Sequence, residues 1–333
     1  MQGSHKGSPS SGNPQEIQNS LAEPSFSPFL LNTLKVQADS GFGFGSACYN
    51  QKQNMMIAYP QGRTIQFYDA TTLLPREGRE PLQLDYPVVH MSYFKETDTY
   101  IVGCIDGSIY SYNVSSHELK NLKTCEMVPL ITVYLSPKVY AFSSMEFKKL
   151  YIGTLEDEDV LSFDLNNECY CLHHVPKSSL LFVGLDDGFV MVYRANKLPH
   201  LELVCSIQAH SKGLVGVQSV NINGEEYIIT TGLDRTVKTW HLGKGTTRLI
   251  RVIRTEYIPY SVVYLEKYKL LAISSQTKYV TFLKFPSMKL ERTVSLTSLG
   301  IHYMFLMKDK NIIGVVNELD NVVEFIQLGG KEN

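Results

Sequence analysis

From Pro28 onward the chain alternates short apolar runs with polar turns. Within the runs apolar residues recur at every second position, and the i, i+3, i+4 stripe of an amphipathic helix is almost missing. Gly, Asp and Asn separate one run from the next. Residues 1–27 are rich in Ser, Pro and Gly and lack this periodicity, so we expect a disordered leader. The pattern predicts a single all-β domain over residues 28–333.

Seven segments share one form, in which an apolar run, a polar turn and a second apolar run end near a large apolar residue. They are MIAYPQGRTIQFYDA (56–70), IVGCIDGSIYSYNV (101–114), LYIGTLEDEDVLSFDL (150–165), LFVGLDDGFVMVYRA (181–195), IITTGLDRTVKTWHL (228–242), LAISSQTKYVTFLKF (271–285) and IIGVVNELDNVVEFIQL (312–328). Their closing residues are Tyr68, Tyr112, Phe163, Tyr193, Trp240, Leu283 and Ile326. The intervals of 44, 51, 30, 47, 43 and 43 residues centre on the period of about 40–45 expected for four strands per repeat. This repeat predicts a seven-bladed β-propeller of four-stranded antiparallel blades.

Two unequal intervals, 51 and 30, flank Phe163 and together span 81 residues, close to two normal blades. Between ECYCLHHV (168–175) and SLLFVGL (179–185) only a few residues remain where an outer and an innermost strand should both fit. Two interpretations stay open. Either the register of the repeat slips near 129–150, or the 164–193 blade lacks its innermost strand.

The last apolar run ends at Leu328, directly after the third strand of the last blade. A fourth strand is therefore missing from that blade. The segment FLLNTLKVQA (29–38) is strand-like and precedes the first blade. We predict that it pairs with the 321–328 strand and closes the ring, because this exchange would hide two edge strands.

The fifth repeat carries a recognisable motif. Its segment 228–242 resembles the central half of a WD40 repeat, with Trp240 at the signature tryptophan and His241 where aspartate is usual. Upstream, Ala209-His210 resembles the family's Gly-His pair. The resemblance implies a buried hydrogen-bonded relay formed by His210, Thr230, Asp234 and Trp240. No other repeat keeps all four residues, so the resemblance covers most of the chain in pattern and one repeat in motif.

Composition narrows the class of partner. The 31 basic and 33 acidic residues nearly balance, so no bulk field attracts nucleic acid and we expect no such partner. Six cysteines are thinly spread and the N-terminal residues lack the apolar core of a secretory signal, which predicts reduced thiols and a cytoplasmic location. We expect a monomer unless the chain is part of a complex.

The sequence offers little chemistry for a metal or for catalysis. Cys169, Cys171 and His173 fall on one side of a predicted strand by alternation, but structural zinc needs four ligands and no second Cys/His pair lies nearby in the sequence. We therefore expect packed thiols, with neither a metal nor another cofactor. The G-x-S-x-G, H-E-x-x-H and P-loop spacings are missing. We expect that the protein is not an enzyme.

A rigid ring with variable turns suits protein binding. We expect contacts on the face that holds the turns between second and third strands and the links between blades, near Asp106, Asp187, Lys212 and Arg235. The predicted function is a non-catalytic scaffold whose partners are one or more proteins or peptides.

Peripheral membrane or endosomal recruitment is the alternative function. Arg248, Arg251 and Arg254 form a compact basic strand, a candidate contact for phosphate or phosphoinositide. The segments LFVGLDDGFVMVYRA and AHSKGLVGVQSV resemble the propeller of WD-repeat proteins that also carry a FYVE zinc module. The cysteines of that module and the F-R-R-G motif of the autophagy propellers are missing from this sequence.

Overall fold

The computed structural model describes residues 26–36, 46–59, 62–144, 147–157, 159–243, 246–317 and 321–329, with the backbone alone at residues 301 and 302. These residues form seven four-stranded antiparallel sheets. In six of the sheets the four strands follow one another in sequence, as expected for successive blades. The predicted all-β, seven-bladed architecture is confirmed. Residues 1–25 of the predicted leader lie outside the described residues.

The strands are numbered in chain order. Blades 1 to 3 consist of β2 (Ser46–Asn50), β3 (Met55–Tyr59), β4 (Thr64–Asp69) and β5 (Leu82–Gln83); of β6 (Val88–Phe94), β7 (Thr99–Cys104), β8 (Ser108–Asn113) and β9 (Glu118–Thr124); and of β10 (Pro129–Ser136), β11 (Val139–Ser144), β12 (Lys149–Thr154) and β13 (Val160–Asp164). Blades 4 and 5 consist of β14 (Cys169–Val175), β15 (Leu180–Leu185), β16 (Phe189–Lys197) and β17 (His200–Gln208); and of β18 (Leu214–Ile222), β19 (Glu225–Gly232), β20 (Thr236–Gly243) and β21 (Thr246–Arg254). Blade 6 consists of β22 (Pro259–Leu265), β23 (Leu270–Ser275), β24 (Tyr279–Lys284) and β25 (Lys289–Ser295). Blade 7 consists of β26 (Ile301–Met307), β27 (Ile312–Asn317), β28 (Val322–Gln327) and β1 (Phe29–Lys35).

The first strand of each sequential blade, together with β26, lines the axis of the ring. These strands contact one another in order from β2 to β26, and β26 contacts β2. Because the strands alternate in direction, the turns gather on two opposite ends of the ring. We call the end that holds the turns between second and third strands and the links between blades the turn face. The other end is the opposite face.

Apolar side chains fill the spaces between blades. The described residues contain seven buried apolar clusters, one at each interface between neighbouring blades. At one interface, Phe182 of blade 4 packs in the same cluster as Ile228 and Trp240 of blade 5. Middle strands are covered on both faces, and every residue of β7 (Thr99–Cys104) is buried. Each blade is therefore stabilised by its neighbours, as in other repeat architectures.

Blade 7 is assembled from both ends of the described chain. Strand β1 pairs antiparallel with β28, from Phe29 opposite Gln327 to Lys35 opposite Val322. This pairing supplies the fourth strand that the C-terminal repeat lacks. The predicted closure of the ring by an N-terminal strand is confirmed.

The residues just before β1 also pack against the ring. The Phe26 ring lies 5.1 Å from the Tyr268 ring and 5.1 Å from the Phe282 ring, measured between centroids. Phe26 lies within the segment 1–27 that the sequence pattern assigns to the leader. The packed part of the chain therefore includes the end of that segment.

The structure resolves the irregular spacing around Phe163. This residue lies on β13, the outermost strand of blade 3, and the third-strand position that matches Tyr112 and Tyr193 is Gly153. Gly153 lies 41 residues after Tyr112 and 40 residues before Tyr193, so the blades are evenly spaced. A Cβ on Gly153 would come within 2.4 Å of the Tyr140 ring, which fills this space from the second strand. The register slip is the correct interpretation, and the missing strand is wrong because β14 lines the axis.

Candidate turn-face binding site

The four residues implied by the WD40 resemblance lie together in blade 5. The Trp240 indole Nε1–H donates to Thr230 Oγ1 at 3.1 Å, and Thr230 Oγ1 lies 2.8 Å from His210 Nε2. His210 Nδ1 lies 2.9 Å from Asp234 Oδ1. This network assigns a neutral His210 that accepts from the Thr230 hydroxyl and donates through Nδ1–H to Asp234.

The pKa shifts of His210 and Asp234 agree with a neutral His210 beside an ionised Asp234. Burial lowers the pKa of His210 below its usual value. Burial alone would raise the pKa of Asp234, but hydrogen bonds from Thr236 and His210 lower it to about 2. Asp234 also accepts from the Ser211 N–H at 3.1 Å, so the network joins the link before blade 5 to a turn within it. The His210 side chain is 0% exposed, and we infer that the relay holds the turn in place.

The predicted interaction residues all lie on the turn face. Asp106, Asp187 and Arg235 stand in the turns between second and third strands of blades 2, 4 and 5, and Lys212 stands in the link from blade 4 to blade 5. Lys212 and Arg235 are exposed, whereas Asp106 and Asp187 are half-buried. The structure therefore gathers two acidic and two basic residues on one face.

The two aspartates also shape their own turns. Asp106 accepts hydrogen bonds from the backbone N–H of Ser108 at 3.1 Å and from its hydroxyl at 2.6 Å. The following Gly107 has a φ of 91°, and a Cβ there would lie 2.0 Å from the Cys125 carbonyl oxygen. Glycine is required at this position because it alone adopts that conformation without a clash. Part of the Asp-Gly signal in the sequence is therefore turn geometry.

The three arginines of the basic strand do not share a face. Arg248, Arg251 and Arg254 are exposed on β21, the outermost strand of blade 5. A bulge in this strand places Arg248 opposite His241 and Arg251 opposite Thr239, on one side of the sheet. Arg254 stands opposite Thr236, on the other side. The pairing thus separates one arginine from the other two.

A bulge also separates the cysteines of β14. Pairing passes from Cys169 opposite Leu185 to Cys171 opposite Gly184, which leaves Tyr170 unpaired. Cys169 packs between blades 3 and 4 and Cys171 between blades 4 and 5, so their predicted position on one side is wrong. Burial raises the pKa of Cys169 to about 12, which keeps the thiol protonated. In the part of the chain that the structure describes, no group of three His, Cys, Asp or Glu residues could hold a metal ion.

Exposed aromatic side chains concentrate on the turn face, which sequence reasoning missed. Of the seven large aromatic residues that are exposed among the described residues, six belong to this face. They are Tyr86, Phe147, Tyr170, Tyr257, Tyr279 and Tyr303. The seventh, Phe29, begins the closing strand at the opposite face. Their positions in the sequence could have indicated this, since each of the six stands in or just after a turn of this face.

A second buried polar cluster lies near the opposite face, between blades 1 and 2. The carboxylate of Asp98, which is 0% exposed, accepts hydrogen bonds from Asn50 at 2.7 Å, Gln53 at 2.9 Å, Tyr93 at 3.0 Å and Ser115 at 2.6 Å. Four donors satisfy both carboxylate oxygens. This cluster joins two blades and leaves no open coordination for a ligand.

A known structure shares the fold of this chain. The β-propeller domain of Cps50 (Swd1) from Myceliophteria thermophila superposes with a TM-score of 0.74 at 9% sequence identity, covering 91% of this chain and 100% of that domain. No protein-family model and no curated protein sequence matches the chain. The protein thus has the fold of a WD40-type seven-bladed β-propeller. Its described helices are two three-residue 3₁₀ turns, Glu266–Tyr268 and Lys308–Lys310, and neither could cross a membrane.

Proposed function

We propose that the protein is a non-catalytic WD-repeat scaffold that binds protein or peptide partners through its turn face. The observation that carries this proposal is the concentration of exposed aromatic residues on that face. Aromatic residues are enriched in protein interfaces because they bury a large rigid area and lose little conformational entropy. On a ring held by seven interblade clusters, these side chains stand on a stable support.

Charge adds a means of selecting and orienting the partner. Exposed Lys212 stands in the link between blades 4 and 5 and exposed Arg235 in a turn of blade 5, whereas Asp106 and Asp187 stand over blades 2 and 4. Charges of both signs on one interface fix the orientation of a partner and raise the rate of encounter. The turn face therefore offers apolar anchors surrounded by a charge pattern.

Affinity purification followed by mass spectrometry tests the proposal. A variant carrying Tyr86→Ser, Tyr257→Ser, Lys212→Glu and Arg235→Glu should lose the proteins that co-purify with the wild-type chain. The matched control is Leu74→Ser with Leu290→Ser, since these residues are 64% and 66% exposed and lie away from the turn face. Unchanged recovery of every partner by the turn-face variant would show that this face is not the binding surface.

Membrane recruitment gains no support from the basic strand. Because Arg254 points to the other side of the sheet from Arg248 and Arg251, a flat anionic surface would meet the three side chains unequally. Liposome flotation with and without phosphoinositides separates the two functions. Flotation that depends on phosphoinositide and is lost in Arg248→Glu/Arg251→Glu would favour the membrane adaptor over the scaffold.

A further inference from the structure

At the turn face, the axial channel opens into a cavity of about 300 Å³. Its lining comes from the first residues of six innermost strands, β6, β10, β14, β18, β22 and β26. We call this cavity the channel mouth. A volume at the lower end of the range for ligand sites, about 300–1,000 Å³, suits one side chain better than a larger organic molecule.

Bulges direct tyrosines toward the channel mouth. In β14 the pairing skips Tyr170, and in β22 it skips Tyr260. In β26 a similar shift directly precedes Tyr303. β-Bulges re-aim side chains and are frequent beside binding sites. All three tyrosines line the cavity, and Tyr170 and Tyr303 are 41% and 40% exposed.

None of the described residues that line the cavity is a lysine or an arginine. Among them His90 is the one titratable nitrogen base, and burial lowers the pKa of His90 to about 4. Its Nδ1 accepts the backbone N–H of Thr132 at 3.2 Å, which leaves the proton on Nε2, 3.5 Å from the Tyr303 hydroxyl. Ser92 also lines the cavity, and its Oγ is buried. The described lining therefore carries no charge that would repel a cation.

Carboxylates surround the channel mouth on one side. The Tyr170 hydroxyl donates to Glu168 at 2.9 Å, and this bond is the main cause that raises the pKa of Tyr170 to about 12. The Asp186 N–H donates to the Glu168 carbonyl oxygen at 2.9 Å, which brings a second acidic residue beside the first. Over blade 2, the Ile105 N–H donates to the Pro87 carbonyl oxygen at 2.9 Å, so the turns that carry Asp106 and Asp85 also adjoin.

These acidic residues form a sector of the turn face. The described turns over blades 2 to 4 contain Asp85, Asp106, Glu126, Glu168, Asp186 and Asp187 against one basic residue, Lys148. A group of like charges around a cleft of low dielectric constant concentrates ions of the opposite sign. The sector therefore favours a cationic ligand at the channel mouth and disfavours an anionic one.

We propose that the channel mouth binds the Lys or Arg side chain of a basic peptide segment in a protein partner. This inference rests on the proposed function and specifies the chemistry of its ligand. A cation over a tyrosine face is attracted by the ring quadrupole, and a guanidinium also stacks on it. The aliphatic stem would contact Val215 and Val262, while the Glu168 carboxylate, which accepts from the Tyr170 hydroxyl, would also accept hydrogen bonds from the peptide.

The test uses the full chain labelled with 3-fluorotyrosine and observed by fluorine NMR. Single variants Tyr170→Phe, Tyr260→Phe and Tyr303→Phe assign the three resonances. The probes are N-acetyl-Ala-Arg-Ala-Arg-amide, the same peptide with citrulline in place of arginine, and N-acetyl-Ala-Glu-Ala-Glu-amide. The arginine peptide should shift the three resonances, whereas the citrulline and glutamate peptides should leave them in place. Glu168→Gln should weaken arginine-peptide binding about 3- to 10-fold, as expected for the loss of one partly exposed carboxylate.

The matched control is Glu156→Gln, because Glu156 is an exposed carboxylate of the opposite face. It should leave the titration unchanged. The proposal is overturned if the arginine peptide shifts none of the three resonances up to about 5 mM, or if the citrulline or glutamate peptide shifts them equally. The channel-mouth proposal fails, and the scaffold function stands, if the turn-face variant loses its partners while Glu168→Gln binds the arginine peptide as the wild type does. The scaffold function fails instead if the turn-face variant keeps every partner.

Discussion

Blades 5 and 7 hold the same link in two chemically different ways. In both blades a five-residue link precedes the first strand, 209–213 in blade 5 and 296–300 in blade 7. In blade 5, His210 and Asp234 hold the link, and the Lys238 Nζ donates to the Ala209 carbonyl oxygen at 2.6 Å. In blade 7, position-by-position matching puts Thr297 where blade 5 has His210.

The matching residue for Lys238 in blade 7 is Glu324, a carboxylate that is 1% exposed. It accepts from the Thr297 N–H at 2.6 Å and hydroxyl at 2.7 Å, and from the N–H and hydroxyl of Ser298. Val315 and Ile326 stand where blade 5 has a threonine and a tryptophan, so no relay forms there. In blade 5 the turn residue Asp234 and the third-strand residue Lys238 hold the link, whereas in blade 7 the third-strand carboxylate of Glu324 accepts from two link residues.

This difference shows what the propeller requires of each blade. Backbone groups of a link that lies against the ring need partners, because a buried unpaired N–H destabilises the fold. The requirement fixes where hydrogen bonds must be made and leaves the residue type free. A motif can therefore vanish from a blade whose structure is intact.

The largest expected effect comes from the way blade 7 is assembled. Deleting residues 1–36 removes β1 and leaves one side of β28 unpaired, whereas every strand of blade 5 would remain. We expect the free energy of unfolding to fall by more than ~5 kcal/mol, a large part of the total stability of a domain. Urea denaturation followed by tryptophan fluorescence measures this change. Deleting residues 1–25 is the control, and equal stability of the two deletions would contradict closure by β1.

Glu324 should be the next most sensitive position. Glu324→Ala leaves the N–H and hydroxyl groups of Thr297 and Ser298 without their acceptor, so we expect a loss of about 2–4 kcal/mol of unfolding free energy. Glu324→Gln keeps one carbonyl oxygen and should lose less. Lys238→Met in blade 5 should cost about 0.5–1 kcal/mol, because it removes one hydrogen bond to the Ala209 carbonyl oxygen and a 4.0 Å ion pair with Asp234. Equal losses for Glu324→Ala and Lys238→Met would contradict a stronger stabilisation of the blade 7 link by Glu324 than of the blade 5 link by Lys238.

Exchanging the matching residues Thr230 and Val315 tests whether the relay threonine stabilises each blade. Thr230→Val gives blade 5 the residue of blade 7 and removes one acceptor and one donor, with an expected loss of about 1–2 kcal/mol. Val315→Thr gives blade 7 the residue of blade 5 but buries a hydroxyl without a relay, with an expected loss of about 1 kcal/mol. Both are measured by chemical denaturation. A gain of stability in Val315→Thr would mean that the motif residue is favourable by itself.

Acid should produce the smallest difference between blades 5 and 7, through His210 of blade 5. Because burial lowers the pKa of His210 in the fold, the unfolded chain binds its proton at a higher pH. Protonation of His210 therefore does not reduce the free energy of unfolding above the usual histidine pKa of 6.5, and it reduces this free energy progressively as the pH falls below 6.5. Urea denaturation at several pH values should give a shallower decline in His210→Asn than in the wild type. His200→Asn on the exposed strand β17 is the control, and an unchanged decline in His210→Asn would exclude this contribution.

Two local features explain why the sequence pattern misplaced Phe163 and the side chains of Cys169 and Cys171. The third strand of blade 3 has Gly153 where other blades have a large residue, so the pattern pointed to Phe163 on the next strand. The bulge at Tyr170 reverses strand alternation, which is why Cys169 and Cys171 lie on different faces. In both cases the decisive partner is distant or unpaired, and periodicity along one strand does not encode it.

The repeat of apolar runs and turns by itself determined the all-β class, the seven blades and the closing strand, because each blade must bury both faces against its neighbours. The resemblance of the fifth repeat to a WD40 motif placed His210, Thr230, Asp234 and Trp240 in one blade. Only the tertiary structure decided which side chains reach the axis, which aromatic residues are exposed on the turn face and how Glu324 replaces a relay. These features depend on contacts between blades, and residues that meet around a ring carry no common signal along the chain.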